Sequence, residues 1–224
     1  ARLLTGVLTS AAALAAEITP DQAREWRTRI VQILFVPEPP PALAPVSYGA
    51  FEPAPGVVAE RITYSTQFGM RIPAILYRPA KRGAQKAPGI VVVNGHGGDK
   101  YAWYSFYTGI LYAKAGAFVI TYDPIGEGER NAERKSVTRR HDTSVPPDEM
   151  GRRMAGLMIN DVRQAVSYLS QRPEVDGSRI AAVGYSMGSF VLGITCAVET
   201  RLNSCVLVGG GNLGGPGCYW DRSN

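Results

Sequence analysis

The chain alternates between short, continuous apolar runs and longer stretches in which apolar residues recur every three or four positions. Gly89–Asn94, Ala117–Tyr122, Arg179–Val183 and Ser204–Val208 are runs of the first kind. Continuous apolar runs of this length suit parallel strands buried on both faces. Tyr101–Ala115, Leu157–Leu169 and Phe190–Val198 have helical spacing, with Ile159, Val162, Val166 and Leu169 on one face of the second. Earlier in the chain, Val57–Tyr64 and Ile72–Tyr77 predict two strands, with Phe68-Gly69-Met70 in the turn between them. This order predicts an α/β protein: a mostly parallel sheet with helices on both faces and an antiparallel N-terminal hairpin at its edge.

The remaining segments frame these elements. Thr19-Pro20-Asp21 predicts a helix start, followed by a stripe of Trp26, Ile30, Ile33 and Leu34 in which Trp26 is read as a packing residue. Residues 37–55 are rich in proline and predict an extended surface arm. Residues 79–88 predict an exposed basic loop. Residues 124–150 are charged, lack a period and leave the carboxyl end of a strand, which fits either a lid, a rim or a subunit contact, or else a solvated loop. Gly209–Gly217 predicts a glycine-rich loop. The chain divides into residues 1–16, 17–55 (helix and arm) and 56–224 (the α/β unit).

Residues 1–16 carry one arginine, an apolar stretch and Ala13-Leu14-Ala15, which fits an A-x-A cleavage site. The expectation is the latter part of a signal peptide and a secreted or periplasmic protein. The alternative is an amphipathic helix of a cytoplasmic one. The chain has 224 residues, enough for one domain with a full core, and a net charge of +5. Its basic residues are scattered, which argues against nucleic acid as a partner. No run predicts a membrane span. Cys196, Cys205 and Cys218 fit no zinc spacing, and no metal is expected. Cys196 and Cys205 read as small core residues, with a bridge to Cys218 open if the protein is exported.

Chemistry concentrates at Gly184-Tyr185-Ser186-Met187-Gly188, a G-x-S-x-G sequence between an apolar strand and a helix. A serine on such a strand-to-helix turn is a nucleophile elbow. The glycines permit the close backbone approach that the turn needs, and the helix dipole favours an oxyanion at the serine. Ser186 is the candidate nucleophile. The N–H of Met187 and that of Gly97 or Gly98 are the candidate oxyanion donors, because glycine lets the backbone reach the substrate. His96 reads as a residue ordering its loop.

A base is harder to find. Both histidines, His96 and His141, precede Ser186, and Asp221 is the only aspartate after it. Nucleophile elbows of this type are followed by the acid and then the histidine. Two readings stand. Either the chain lacks the C-terminal strands that carry both, which is the expectation, or His141 serves as base with Asp221 as its acid.

Several blocks together resemble the acetyl xylan esterase and dienelactone-hydrolase-like branch of the α/β-hydrolases. They are Val93-Asn94-Gly95-His96-Gly97-Gly98, Tyr122-Asp123-Pro124-Ile125-Gly126-Glu127-Gly128-Glu129-Arg130, Arg172-Pro173-Glu174-Val175-Asp176, Arg179-Ile180 and the elbow itself. The second block is similar to the D-P-x-G-x-G-E-R signature of bacterial esterases. The resemblance implies the α/β-hydrolase fold and a serine esterase without a cofactor. It implies a small-molecule or carbohydrate ester as substrate, often an acetylated one. Ser186 then matches the family nucleophile, and Gly97, Gly98 and Met187 its oxyanion region. A homo-oligomer is a further expectation. Two rivals remain. A prolyl-oligopeptidase-type peptidase would need a propeller that residues 1–56 cannot supply. A non-catalytic hydrolase-like binding protein would fit the missing base.

Overall fold

The computed structural model describes residues 18–81, 83–132 and 149–210. Seven strands form one mixed sheet in the order β1-β2-β3-β5-β4-β6-β7. They are β1 (Val46–Ala54), β2 (Val57–Ser65), β3 (Arg71–Pro79), β4 (Ala87–Val93), β5 (Phe118–Tyr122), β6 (Val175–Tyr185) and β7 (Leu202–Val208). Pairings among β1, β2, β3 and β5 are antiparallel, and those joining β5, β4, β6 and β7 are parallel. Four helices complete the fold: α1 (Pro20–Ile33), α2 (Trp103–Lys114), α3 (Glu149–Ser170) and α4 (Met187–Val198).

The central strands alternate faces because successive side chains of a strand point to opposite sides. Val91 and Val93 of β4, with Phe118, Ile120 and Tyr122 of β5, join Val162, Leu169 and Leu192 of α3 and α4 in one core. Val92 and Val119 join Ala113 and the α2 residues Phe106 and Ile110 in the other. The continuous apolar runs of the sequence are thus strands covered on both sides. The fold is that of an α/β-hydrolase.

Three expectations change. The proline-rich arm ends earlier than its composition predicts, since 46–54 form β1, a sheet-edge strand where Pro53 costs no ladder bond. The N-terminal hairpin is therefore the inner part of a three-stranded antiparallel wing. Trp26 does not pack as expected. It is half exposed, while Ile30, Val31 and Leu34 dock α1 against Ile159 and Val198. Cys196 and Cys205 are not free core thiols but a disulfide joining α4 to β7. Cys218, Asp221 and His141 lie outside the described residues.

Helix α3 reaches back to Glu149, well before its apolar face begins. Its buried polar residues act as staples. Gln164 donates to the carbonyls of Pro41 and Ser65 at 2.9 and 2.7 Å, and Asn160 donates to Thr66 Oγ1 at 3.1 Å. These bonds fix the proline-rich segment and the β2–β3 turn onto the helix. Among the described residues no helix is long and apolar enough to cross a membrane.

Candidate active site

Strand β6 runs directly into α4 through Ser186, which caps the helix with φ 49° and ψ −117°. A positive φ is strained for serine, at a cost of about 1–3 kcal/mol, and is held only where the surroundings over-determine it. Here they do. The Ser186 N–H donates to Val208 O at 2.8 Å, and Ser189 N–H donates back to Ser186 O at 2.8 Å. The buried Ser189 hydroxyl donates to Gly184 O at 2.7 Å, pinning the turn from inside. A Cβ on Gly184 would meet Gly188 O at 2.5 Å, and one on Gly188 would meet Val93 O at 2.3 Å. The two glycines of the motif are spatial requirements of the elbow.

The loop leaving β4 lies against this turn. A Cβ on Gly95 would sit 3.2 Å from Ser186 Cβ. Gly95 N–H donates to the Tyr104 hydroxyl at 2.9 Å, and the Tyr104 ring packs 4.6 Å from that of Tyr185. Burial pushes the Tyr104 phenol up and keeps it neutral. Asn94 is buried, donates to Tyr122 O at 2.7 Å and accepts from Ser105. Partly buried His96 sits on the same loop.

The expected oxyanion donors fall into two groups. Met187 is the first residue of α4, where a helix leaves its N–H without an internal partner. The glycine N–H groups are engaged: Gly97 with Glu127 Oε1 at 3.2 Å, and Gly98 with Gly95 O at 3.0 Å. A Cβ at Gly98 would lie 2.0 Å from the Tyr104 hydroxyl, so glycine is needed there for packing as well. A cavity of about 10 Å³ opens beside Met187, walled by Val93, Asn94, Tyr122, Pro124, Met158, Asp161 and Val191.

Residues 124–132, the described part of the charged segment, form a partly buried brace rather than a solvated loop. Asp123 accepts from the backbone of Lys100 and of Glu129, both at 2.9 Å, and pairs with Lys100 Nζ at 2.6 Å. Lys100 Nζ also pairs with Glu129 at 2.7 Å. Burial pulls the Lys100 ammonium down, but Asp123 and Glu129 outweigh it and leave it raised. Arg130 passes under the loop to the buried Asp161 of α3, which also accepts from Thr66 at 2.7 Å. Burial raises the Asp161 carboxyl, with Arg130 opposing. The D-P-x-G-x-G-E-R pattern carries the signal for Asp123, Glu129 and Arg130, whereas Glu127 falls on one of its open positions. Nothing in the sequence marks Asp161, which reads as an ordinary helix residue until Arg130 reaches it.

A serine elbow at the carboxyl end of a parallel strand, with a glycine loop packed on it, places the chain among the α/β-hydrolases. More narrowly, the chain belongs to the dienelactone hydrolase family, whose model matches residues 72–210. It is 26% identical to PA2218 of Pseudomonas aeruginosa over 147 residues, which cover 65% of this chain and 35% of that protein. Its fold is shared by BF1801 of Bacteroides fragilis, with a TM-score of 0.70 and 18% identity over 84% of this chain and 54% of that one. Acetyl xylan esterase 1 of Thermoanaerobacterium aligns with a TM-score of 0.62 and 19% identity, over 84% of this chain and 58% of the enzyme. The chain therefore spans between about a third and three fifths of the length of these relatives.

Proposed function

We propose that the protein is a serine carboxylic ester hydrolase acting on small or carbohydrate-borne esters, with an acetyl group as the acyl part. The observation that carries this reading is the strained Ser186 at the β6–α4 junction, backed by the N-terminus of α4. Ser186 Oγ attacks the ester carbonyl and its proton passes to a base. The tetrahedral oxyanion collapses, the alcohol leaves, and water then releases the acid from the acyl-serine. The Met187 N–H stabilises the oxyanion. Either glycine of the β4 loop becomes the second donor only by giving up its present bond, to Glu127 at Gly97 or to Gly95 at Gly98. The likeness to acetyl xylan esterase 1 supports acetyl as the acyl part and a sugar as the alcohol part. The Cys196–Cys205 disulfide fits a secreted or periplasmic location, where disulfides persist.

Fluorophosphonate treatment of the protein at its natural full length, followed by mass spectrometry, is expected to put one adduct on the peptide carrying Ser186. Ser186→Ala is expected to abolish that adduct and to lower p-nitrophenyl acetate hydrolysis by roughly 10⁶-fold. An adduct elsewhere, or hydrolysis that survives the substitution, overturns the reading. Loss of labelling in His141→Ala would identify His141 as the base.

A further inference from the structure

A second concavity lies away from Ser186, where the antiparallel wing meets the loops that leave β4 and β5. It is a cleft of about 380 Å³, lined by Tyr48, Arg61, Thr63, Lys100, Tyr101 and Glu129 with the backbone of β2 and β3 beneath. That volume lies within the range of small-molecule sites, about 300–1,000 Å³. We propose that this cleft binds a pyranose unit of a polysaccharide. For the choice of ligand the proposal rests on the reading of the protein as a carbohydrate-ester hydrolase.

The side chains fit a sugar better than an apolar ligand. Tyr48 and Tyr101 are 57% and 49% exposed, so two aromatic rings stand in water at the rim. An exposed tyrosine is a rigid, amphipathic surface, suited to the C–H face of a sugar ring. Around them are groups that bind hydroxyls in a plane. Arg61 spends one N–H on Tyr48 O at 3.2 Å and, among the described residues, pairs with no carboxylate. The Glu129 carboxylate is 59% exposed, and its pairing with Lys100 leaves it lone pairs to accept further bonds.

The cleft is also built rather than incidental. Its floor is the buried Lys100 held between Asp123 and Glu129, so Glu129 is fixed in place. Its outer wall comes from an irregularity in β1, whose register with β2 shifts between Ser47 and Ala50, at Tyr48-Gly49. Gly49 there takes φ +92°. A bulge of this kind re-aims a side chain, here Tyr48 beside Arg61. Pre-ordered walls lower the entropy that binding would otherwise cost.

Position gives the cleft a role. Lys100 and Tyr101 lie on the loop that begins with Gly95–Gly98, and Glu129 lies on the loop after β5. Cleft and nucleophile therefore share the carboxyl end of the parallel strands. From β3 to β6 is three strand spacings, roughly 14 Å. A chain anchored in the cleft would carry an ester several sugar units away to Ser186.

The test is affinity electrophoresis of the Ser186→Ala protein in gels containing glucuronoxylan, arabinoxylan or glucomannan. At least one polymer is expected to retard the protein. Retardation should be lost in Tyr48→Ala/Tyr101→Ala, weakened in Arg61→Gln and in the single Tyr48→Ala variant on the exposed edge strand, and kept in Trp103→Ala on the neighbouring helix α2. Thermal melts verify that each variant is folded. Retardation by none of the polymers, or retardation that follows Trp103 instead, overturns the inference. Fluorophosphonate labelling of Ser186 reads the hydrolase proposal separately. Labelling without retardation removes the cleft alone, and retardation without labelling removes the esterase alone.

Discussion

Glycine and serine at single positions decide whether this site can exist. Ser186 takes its strained backbone because Val208, Ser189 and two glycines leave the turn no alternative. The serine and its flanking glycines were legible in sequence because the motif is local. The reason for another glycine was not. Gly128 has φ +52°, and a Cβ there would fall 2.4 Å from Asp123 Cγ, inside the buried pair with Lys100. Gly128→Ala would force both a left-handed alanine and a displaced carboxylate. It is expected to lower stability by about 2–4 kcal/mol in denaturant unfolding. An unchanged midpoint would mean that the brace tolerates repacking. His141 could be picked out in the sequence only as one of two histidines, since no local pattern ties a base to its nucleophile.

Elements are tied together by charges that sequence periodicity does not reveal. Glu199 ends α4, accepts from Arg201 Nε at 2.8 Å and Nη2 at 2.6 Å, and stands 3.6 Å from Arg163 of α3. Arg163 in turn holds Glu38, and Arg201 holds Ser167. Burial alone would raise the Glu199 carboxyl, but the bonds from Arg201 outweigh it and leave it below its ordinary value. A carboxyl lowered on folding stabilises the native state above its unfolded pKa of about 4.3, and that contribution is lost as pH falls through the folded value. Glu199→Gln is therefore expected to cost about 2 kcal/mol at neutral pH, and the difference should vanish in acid. Melts of both proteins from neutral to acidic pH would test this, and a pH-independent gap would assign the effect to packing. The helical stripes of α3 and α4 were readable from spacing alone. Their polar cross-links were not, because each joins residues far apart in the chain.

At the scale of the whole molecule, the strand runs and their order carried the fold. Each central strand is buried on both faces, so it appears in sequence as an unbroken apolar run. The β1 wing escaped because an edge strand needs no such run, and its prolines suggested an arm. The opposite edge has a consequence of its own. Among the described residues β7 pairs only with β6, yet Val206, Leu207 and Val208 are all exposed. Leu207 lies near Gly193 of α4, on the side where Cys205 is bonded to Cys196. By alternation, Val206 and Val208 face the other side of the sheet. An apolar edge with free backbone donors and acceptors is a template for another strand. This 224-residue chain is therefore expected to self-associate through β7. Light scattering across a dilution series should report a mass that rises with concentration, and Val206→Lys should restore the monomer, since a lysine on an edge opposes pairing. A wild-type chain that stays monomeric and melts in one sharp transition would mean that the β7 edge is covered within the chain itself.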